Sequence, residues 1–224
     1  MPLKPGAALL FDIDGTMVDS DPLHLIAFNE VFGPYGHTFD RSRFATDVHG
    51  FTNEAIAARF FPDETPERGL AILDAKEAAF RRLADKGIEP VHGLHALLDW
   101  AETEGIPAIA VTNAPRANAD QVLAATGLRP RLRGLVVAGD LAHGKPHPLP
   151  YLEGLRLLEA EPAHSVAFED SRAGIISATT AGIATIGMAT GLSTEDLVEA
   201  GAIMGVADYS DRAVIEFIKG RVLA

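Results

Sequence analysis

The sequence predicts an α/β fold: a mostly parallel, Rossmann-like sheet with helices on both faces, plus an inserted small all-helical cap. Three observations predict it. From residue 90 onward, short apolar runs alternate with helical-period segments, the pattern of parallel strands joined by helical crossovers. Leu9-Leu10-Phe11 is an apolar run that stops abruptly at Asp12, as a buried central strand does at its C-terminal end. Between residues 17 and 88 no strand pattern appears, so a block of helices interrupts the chain directly after its first strand. The expected division is a core of residues 1–16 and 91–224 and a helical cap of residues 17–90.

The elements follow in order. Ser20 or Asp21 caps a first helix with Pro22 in its first turn, and Gly33, Pro34 and Gly36 end it. Three further cap helices are expected at residues 40–48, 52–61 and 66–86, the last with an apolar stripe of Leu70, Leu73, Ala78, Phe80, Leu83 and Ala84. After Pro90, Leu94, Leu97, Leu98 and Trp100 mark a helix ending near Gly105. Strands are then expected at 106–111, 135–137, 165–168, 183–187 and, more weakly, 203–206. Helices at 115–126, 148–159, 171–181, 194–200 and 211–219 alternate with them.

Composition excludes several functions. The 224 residues are 47% hydrophobic and carry a net charge of −12, so a packed globule is expected that repels nucleic acid and anionic membrane. Cysteine is absent, which removes disulfides, thiolate metal sites and cysteine nucleophiles. The start, Met1-Pro2-Leu3-Lys4-Pro5-Gly6, lacks a signal-peptide core, and no apolar run reaches membrane-spanning length. A soluble cytoplasmic protein is expected, a monomer or weak dimer.

Chemistry collects where strands end. Asp12 and Asp14 follow the first strand with a Gly15-Thr16 turn, Thr112-Asn113 follow the second, a Gly139-to-Lys145 loop follows the third, and Glu169-Asp170 follow the fourth. In a parallel sheet those ends share one edge. Each signal alone has an ordinary reading: an acidic turn, a helix cap at Thr112 or Glu169-Asp170, a solvated loop lysine. Together they form a site of carboxylates, a hydroxyl, an amide and one ammonium. Gathered carboxylates call for a cation, and hard oxygen ligands favour magnesium over zinc or copper.

The motif set Asp12-Ile13-Asp14-Gly15-Thr16, Thr112, Gly144-Lys145-Pro146 and Glu169-Asp170 resembles that of the haloacid dehalogenase-like hydrolases, in the subgroup with a helical cap after the first strand. The resemblance implies that Asp12 is a nucleophile forming an aspartyl-phosphate and that Asp14 is a general acid and then base. It implies magnesium held by Asp12, Asp170 and the Asp14 backbone carbonyl, with Glu169 in support. Thr112 would donate to phosphate oxygens and Lys145 would balance Asp12. The implied partner is a small phosphorylated metabolite.

The reaction is narrowed by differences. Hydrolytic dehalogenation typically lacks an acid at the position of Asp14. A phosphosugar mutase similar to β-phosphoglucomutase carries Lys-Gly and a later Arg in a cap loop, where this chain has His49-Gly50 and Asn53. Lys145-Pro146-His147-Pro148-Leu149-Pro150-Tyr151 is similar to strings in deoxyhexose- and glycerol-phosphate phosphatases. His24, His49, Asn53 and Asn113 are the expected substrate contacts, a neutral set suited to hydroxyls. Hydrolysis of a small sugar or polyol monophosphate is therefore expected, ahead of a mutase or a phosphoglycolate phosphatase.

Overall fold

The computed structural model describes residues 1–48 and 51–224. Its contacts divide the chain into two compact units, Met1–Asp19 with Glu89–Ala224, and Ser20–Ile88.

The first unit is built on six parallel strands: β1 (Ala8–Phe11), β2 (Ala108–Thr112), β3 (Leu135–Val137), β4 (Ser165–Glu169), β5 (Ala184–Met188) and β6 (Met204–Val206). They lie in the order β3-β2-β1-β4-β5-β6. The order reverses between β1 and β4, and in such sheets a crevice opens beyond the strand C-termini at the reversal. Leu9, Leu10 and Phe11 are fully buried, each side chain contributing about 1.5–3 kcal/mol on transfer from water. Phe11 stacks on Phe168 of β4 at 4.8 Å between ring centroids, which fixes the register at the end where the carboxylates emerge. β2 begins at Ala108, two residues later than the sequence suggests. Pro107 has no N–H for the ladder, although its carbonyl still accepts from Leu9.

Helices in Ser20–Ile88 are α1 (Asp21–Phe32), α2 (Arg41–Asp47), α3 (Asn53–Phe60) and α4 (Pro66–Ala84). Thr52 and Thr65 cap α3 and α4 by accepting from Ala55 and Arg68 N–H. α4 packs on α1 and α3 around an aromatic core of Phe28, Phe32, Phe39, Phe44, Phe60 and Phe61. The buried stripe of α4 differs from the expected one. Ala78 is exposed, and Lys76 and Glu77 are buried.

The remaining helices are α5 (Leu94–Glu104), α6 (Arg116–Ala125), α7 (Leu149–Leu158), α8 (Arg172–Thr180), α9 (Thr194–Glu199) and α10 (Arg212–Val222). α10 runs three residues beyond the expected end, where Lys4 Nζ donates to the Gly220 and Arg221 carbonyls and so closes its last turn. α7 ends on Glu159, whose φ of 51° places a side chain in the left-handed region. Glycine carries no Cβ penalty there, so Glu159→Gly is expected to stabilise the fold by about 1 kcal/mol and raise the melting temperature by roughly 2–4 °C. Thermal melting checks it. Among the described residues, no helix is long and apolar enough to cross a membrane.

Candidate active site

β1 and β4 deliver their carboxylates side by side. The Asp12 N–H donates to the Phe168 carbonyl at 3.0 Å, which pins the end of β1 to β4. Asp12, Glu169 and Asp170 are all buried, and each offers an oxygen within 4.8 Å of the others. Three hard oxygen donors gathered out of water suit a divalent cation. The cluster is therefore able to hold one.

Lys145 reaches this cluster across the sheet edge. Its Nζ donates to Asp12 Oδ1 at 2.5 Å, to Glu169 Oε1 at 2.5 Å and to the Val111 carbonyl at 2.8 Å. All three ammonium donors are thus used in a buried position. Burial alone would favour the neutral amine, but the Asp12 and Glu169 charges outweigh it and hold Lys145 above its ordinary value. Burial raises the Asp12 carboxyl. Lys145 opposes that rise, Glu169, Asp170 and Asp14 add to it, and the result lies well above the usual carboxylate range. Glu169 is the most enclosed member. Oε1 also accepts from Tyr151 Oη at 2.7 Å, and Oε2 accepts from Ser171 Oγ at 3.2 Å. With both oxygens engaged, Glu169 holds the lysine in place.

Two glycines let the acids approach. Gly15 has φ of 73°, and a Cβ there would lie 1.9 Å from Asp170 Oδ2. Gly174, in the first turn of α8, would place a Cβ 1.9 Å from a Glu169 carboxylate oxygen. Any larger residue would displace a carboxylate. Ser171 accepts from the Gly174 N–H at 3.0 Å, the helix-start role its sequence position suggested.

Thr112 ends β2 beside β1 and is buried, with Oγ1 accepting from the Ala114 N–H at 2.9 Å. Asn113 has a task the sequence did not reveal. Its Oδ1 accepts from Lys145 N at 3.0 Å and its Nδ2 donates to the Lys145 carbonyl at 3.2 Å. The amide expected to meet substrate also clamps the backbone that carries the lysine. Ser177 supports the same loop by donating to the His147 carbonyl at 2.6 Å. His143 and His147 are exposed, with rings 4.5 Å apart. Arg172, after the acidic pair, donates to Asp196 and Glu199 of α9 on the surface.

Within the helical unit, His24, Asn53, Lys76 and Glu77 form one polar network. The His24 ring stacks on Phe80 at 3.9 Å, and its Nδ1 lies 3.1 Å from Lys76 Nζ. An ammonium only donates, so Nδ1 accepts in this contact. Lys76 Nζ donates to Glu77 Oε1 at 3.0 Å and sits over the Phe28 ring. Asn53 Nδ2 donates to the same Glu77 oxygen at 3.0 Å. Burial acts against the Glu77 carboxylate, but the Lys76 charge and these hydrogen bonds hold it below its ordinary value. The neutral set expected from His24 and Asn53 thus includes a buried ion pair that sequence reasoning missed. Its signal was register: Lys76 lies three residues after Leu73 and four before Phe80, on the buried stripe. His49 lies outside the described residues.

The family model for haloacid dehalogenase-like hydrolases matches residues 9–188, from the first strand through the acidic pair to the end of β5. The chain is a haloacid dehalogenase-like hydrolase. Among the relatives of this hydrolase is validoxylamine A 7′-phosphate phosphatase of Streptomyces hygroscopicus subsp. limoneus. It is 32% identical over 199 residues, spanning 87% of this chain and 91% of that one. Glycerol-1-phosphate phosphohydrolase 2 of Saccharomyces cerevisiae is 34% identical over 215 residues, spanning 92% and 84%. The crystal structure of a CbbY mutant from Rhodobacter sphaeroides with xylulose-1,5-bisphosphate superposes with a TM-score of 0.81 at 28% identity, covering 91% and 95%.

Proposed function

We propose that this phosphoric monoester hydrolase releases phosphate from small sugar or polyol monophosphates through an aspartyl-phosphate on Asp12, with magnesium as its metal. The observation that carries the reading is the buried Asp12 held by Lys145 against Glu169, with Asp14 two residues on. An Asp12 oxygen attacks phosphorus as the bond to the alcohol oxygen breaks. That oxygen keeps the electron pair and takes a proton from Asp14. Asp14, now a carboxylate, accepts a proton from the water that attacks the aspartyl-phosphate and frees Asp12. Lys145 opposes the rise that burial imposes on the Asp12 carboxyl and so favours the ionised form that the attack needs. Thr112, whose oxygen accepts from Ala114, keeps its own proton to donate to a phosphate oxygen. Asn113 supports the lysine through its two bonds to the Lys145 backbone and is retained as a substrate contact. Asp12, Asp170 and the Asp14 carbonyl are the proposed magnesium ligands, and the ion, when bound, supplies positive charge that eases the approach of one anion to another.

Recognition of the alcohol is assigned to His24, Asn53 and Lys76, with His49 retained from its sequence position. The Lys76 charge is matched by Glu77, which suits hydroxyls and one phosphate per substrate. The phosphate monoesters in the two relatives' names, validoxylamine A 7′-phosphate and glycerol 1-phosphate, support this class. A second reading, a phosphosugar mutase, requires Lys76 to give up its Glu77 contact for a second phosphate. The partner is a small phosphorylated metabolite, and the compartment proposed is the cytoplasm, where such metabolites are made.

A phosphorylated-metabolite panel tests this. Net phosphate release is expected from hexose, deoxyhexose and glycerol monophosphates, lost in chelator and restored by added magnesium. Full activity in chelator overturns the metal. Conversion of a sugar 1-phosphate to the 6-phosphate without net release makes the enzyme a mutase. A strong preference for phosphoglycolate keeps the mechanism and overturns the substrate class.

A further inference from the structure

We propose that Tyr209 is a positioning residue for proton transfer, its hydroxyl fixing the Asp14–Thr16 turn through the Thr16 carbonyl. The turn lies outside any helix or strand, so its carbonyls need partners from elsewhere. Thr190, after β5, donates to the Gly15 carbonyl at 2.6 Å. Tyr209, after β6, donates to the Thr16 carbonyl at 3.0 Å. Its ring packs 5.2 Å from Phe168 and 6.1 Å from Phe11, the stacked pair beneath the carboxylates. A phenylalanine would fill that space equally well, so the hydroxyl calls for its own explanation. Burial, and then the charges of Asp12, Asp170 and Glu169, keep the phenol protonated and therefore a constant donor.

The backbone of Tyr209 makes a second attachment. Its N–H donates to the His92 carbonyl at 3.0 Å. Val91 N–H donates to the Met17 carbonyl at 2.9 Å, and Val18 pairs with Pro90. The segments leaving for the helical unit and returning from it are thus tied to each other, and Tyr209 holds both. Asp14 stands two residues before the carbonyl it grips. A buried carbonyl left without this donor loses its hydrogen bond and lets the turn shift, and small misplacements of a proton donor carry large rate penalties.

This inference rests on the assignment of Asp14 as the proton donor, so its test varies the leaving group. Asp14 matters most when the departing alcohol is a poor leaving group and least for p-nitrophenolate. Values of kcat/KM, which report phosphoryl transfer to Asp12, are compared for glycerol phosphate and p-nitrophenyl phosphate at saturating magnesium. Tyr209→Phe is expected to lower the first about tenfold and the second by less than about twofold. Thr190→Val acts on the same turn through the Gly15 carbonyl and should give the same asymmetry. Melting curves verify that both variants are folded. Equal losses on both substrates, or no loss on either, overturn the proposal, since a purely structural tyrosine moves both together. Asp14→Asn serves as the reference. A strong asymmetry there with none in Tyr209→Phe overturns the inference alone, whereas no asymmetry in Asp14→Asn overturns the assignment of Asp14 and the inference with it.

Discussion

Asp12→Asn is expected to remove phosphate release, by on the order of 10⁴-fold or more, and yet to melt no lower than the parent in chelator. The two halves have one cause. Asp12 is held well above the ordinary carboxylate range by burial and by three neighbouring acids, against the pull of Lys145. Below that range the side chain is neutral folded and unfolded, and stability is fully present. As pH rises through it, the unfolded chain ionises while the buried group resists, so stability falls until pH passes the raised folded value. Asparagine carries no charge to resist and escapes this loss at neutral pH. Melting with and without magnesium checks it, because the parent should gain more from the ion than the variant does. Acid-quenched labelling checks the chemistry, and phosphate trapped on any residue other than Asp12 overturns the nucleophile.

Lys145→Met should be severe in both respects. It leaves Asp12 and Glu169 without the ammonium that both contact at 2.5 Å. Removing one partner of a buried pair costs about 3–5 kcal/mol, a large part of the stability of any single domain. Turnover should fall by roughly 10²–10³-fold or more, the scale seen when one preorganised electrostatic contact to a transition state is removed. Lowering the pH should return part of the lost stability as the stranded carboxylates take up protons. The double variant Lys145→Met with Glu169→Gln should recover stability and not turnover. A single variant that melts with the parent would mean that the lysine does not hold the acids together.

The parts of this molecule legible in the sequence are those where local pattern and tertiary demand agree. Leu9 to Phe11 must be apolar because a central strand is covered on both faces, and Asp12 is conspicuous because it ends that run. Gly15 marks the tight turn that follows, whereas the closeness of Gly174 to Glu169 emerges only in the fold. Less legible were residues whose partners lie far along the chain. Asn113 reads as a strand-end amide, and only the fold brings the Lys145 backbone to it. Lys76 reads as one charge among several on a long helix, because lysine usually faces water. Tyr209 stands in a stretch with no motif, since its importance lies in one oxygen reaching one carbonyl.

The sheet order has a consequence for how the molecule is made. β1 is the first strand synthesised, yet it lies between β2 and β4, and Lys145 follows Asp12 by 133 residues. At about 5–20 residues per second, Asp12 leaves the ribosome on the order of ten seconds before its counterion exists. The Ser20–Ile88 unit, whose internal contacts need nothing later in the chain, can fold during that wait. The parallel pairing of β1 with β4 cannot, and long-range pairing of this kind is intrinsically slow. Catalytic competence therefore waits at least until β4 docks, and a nascent chain short of Asp170 is inert rather than partly active.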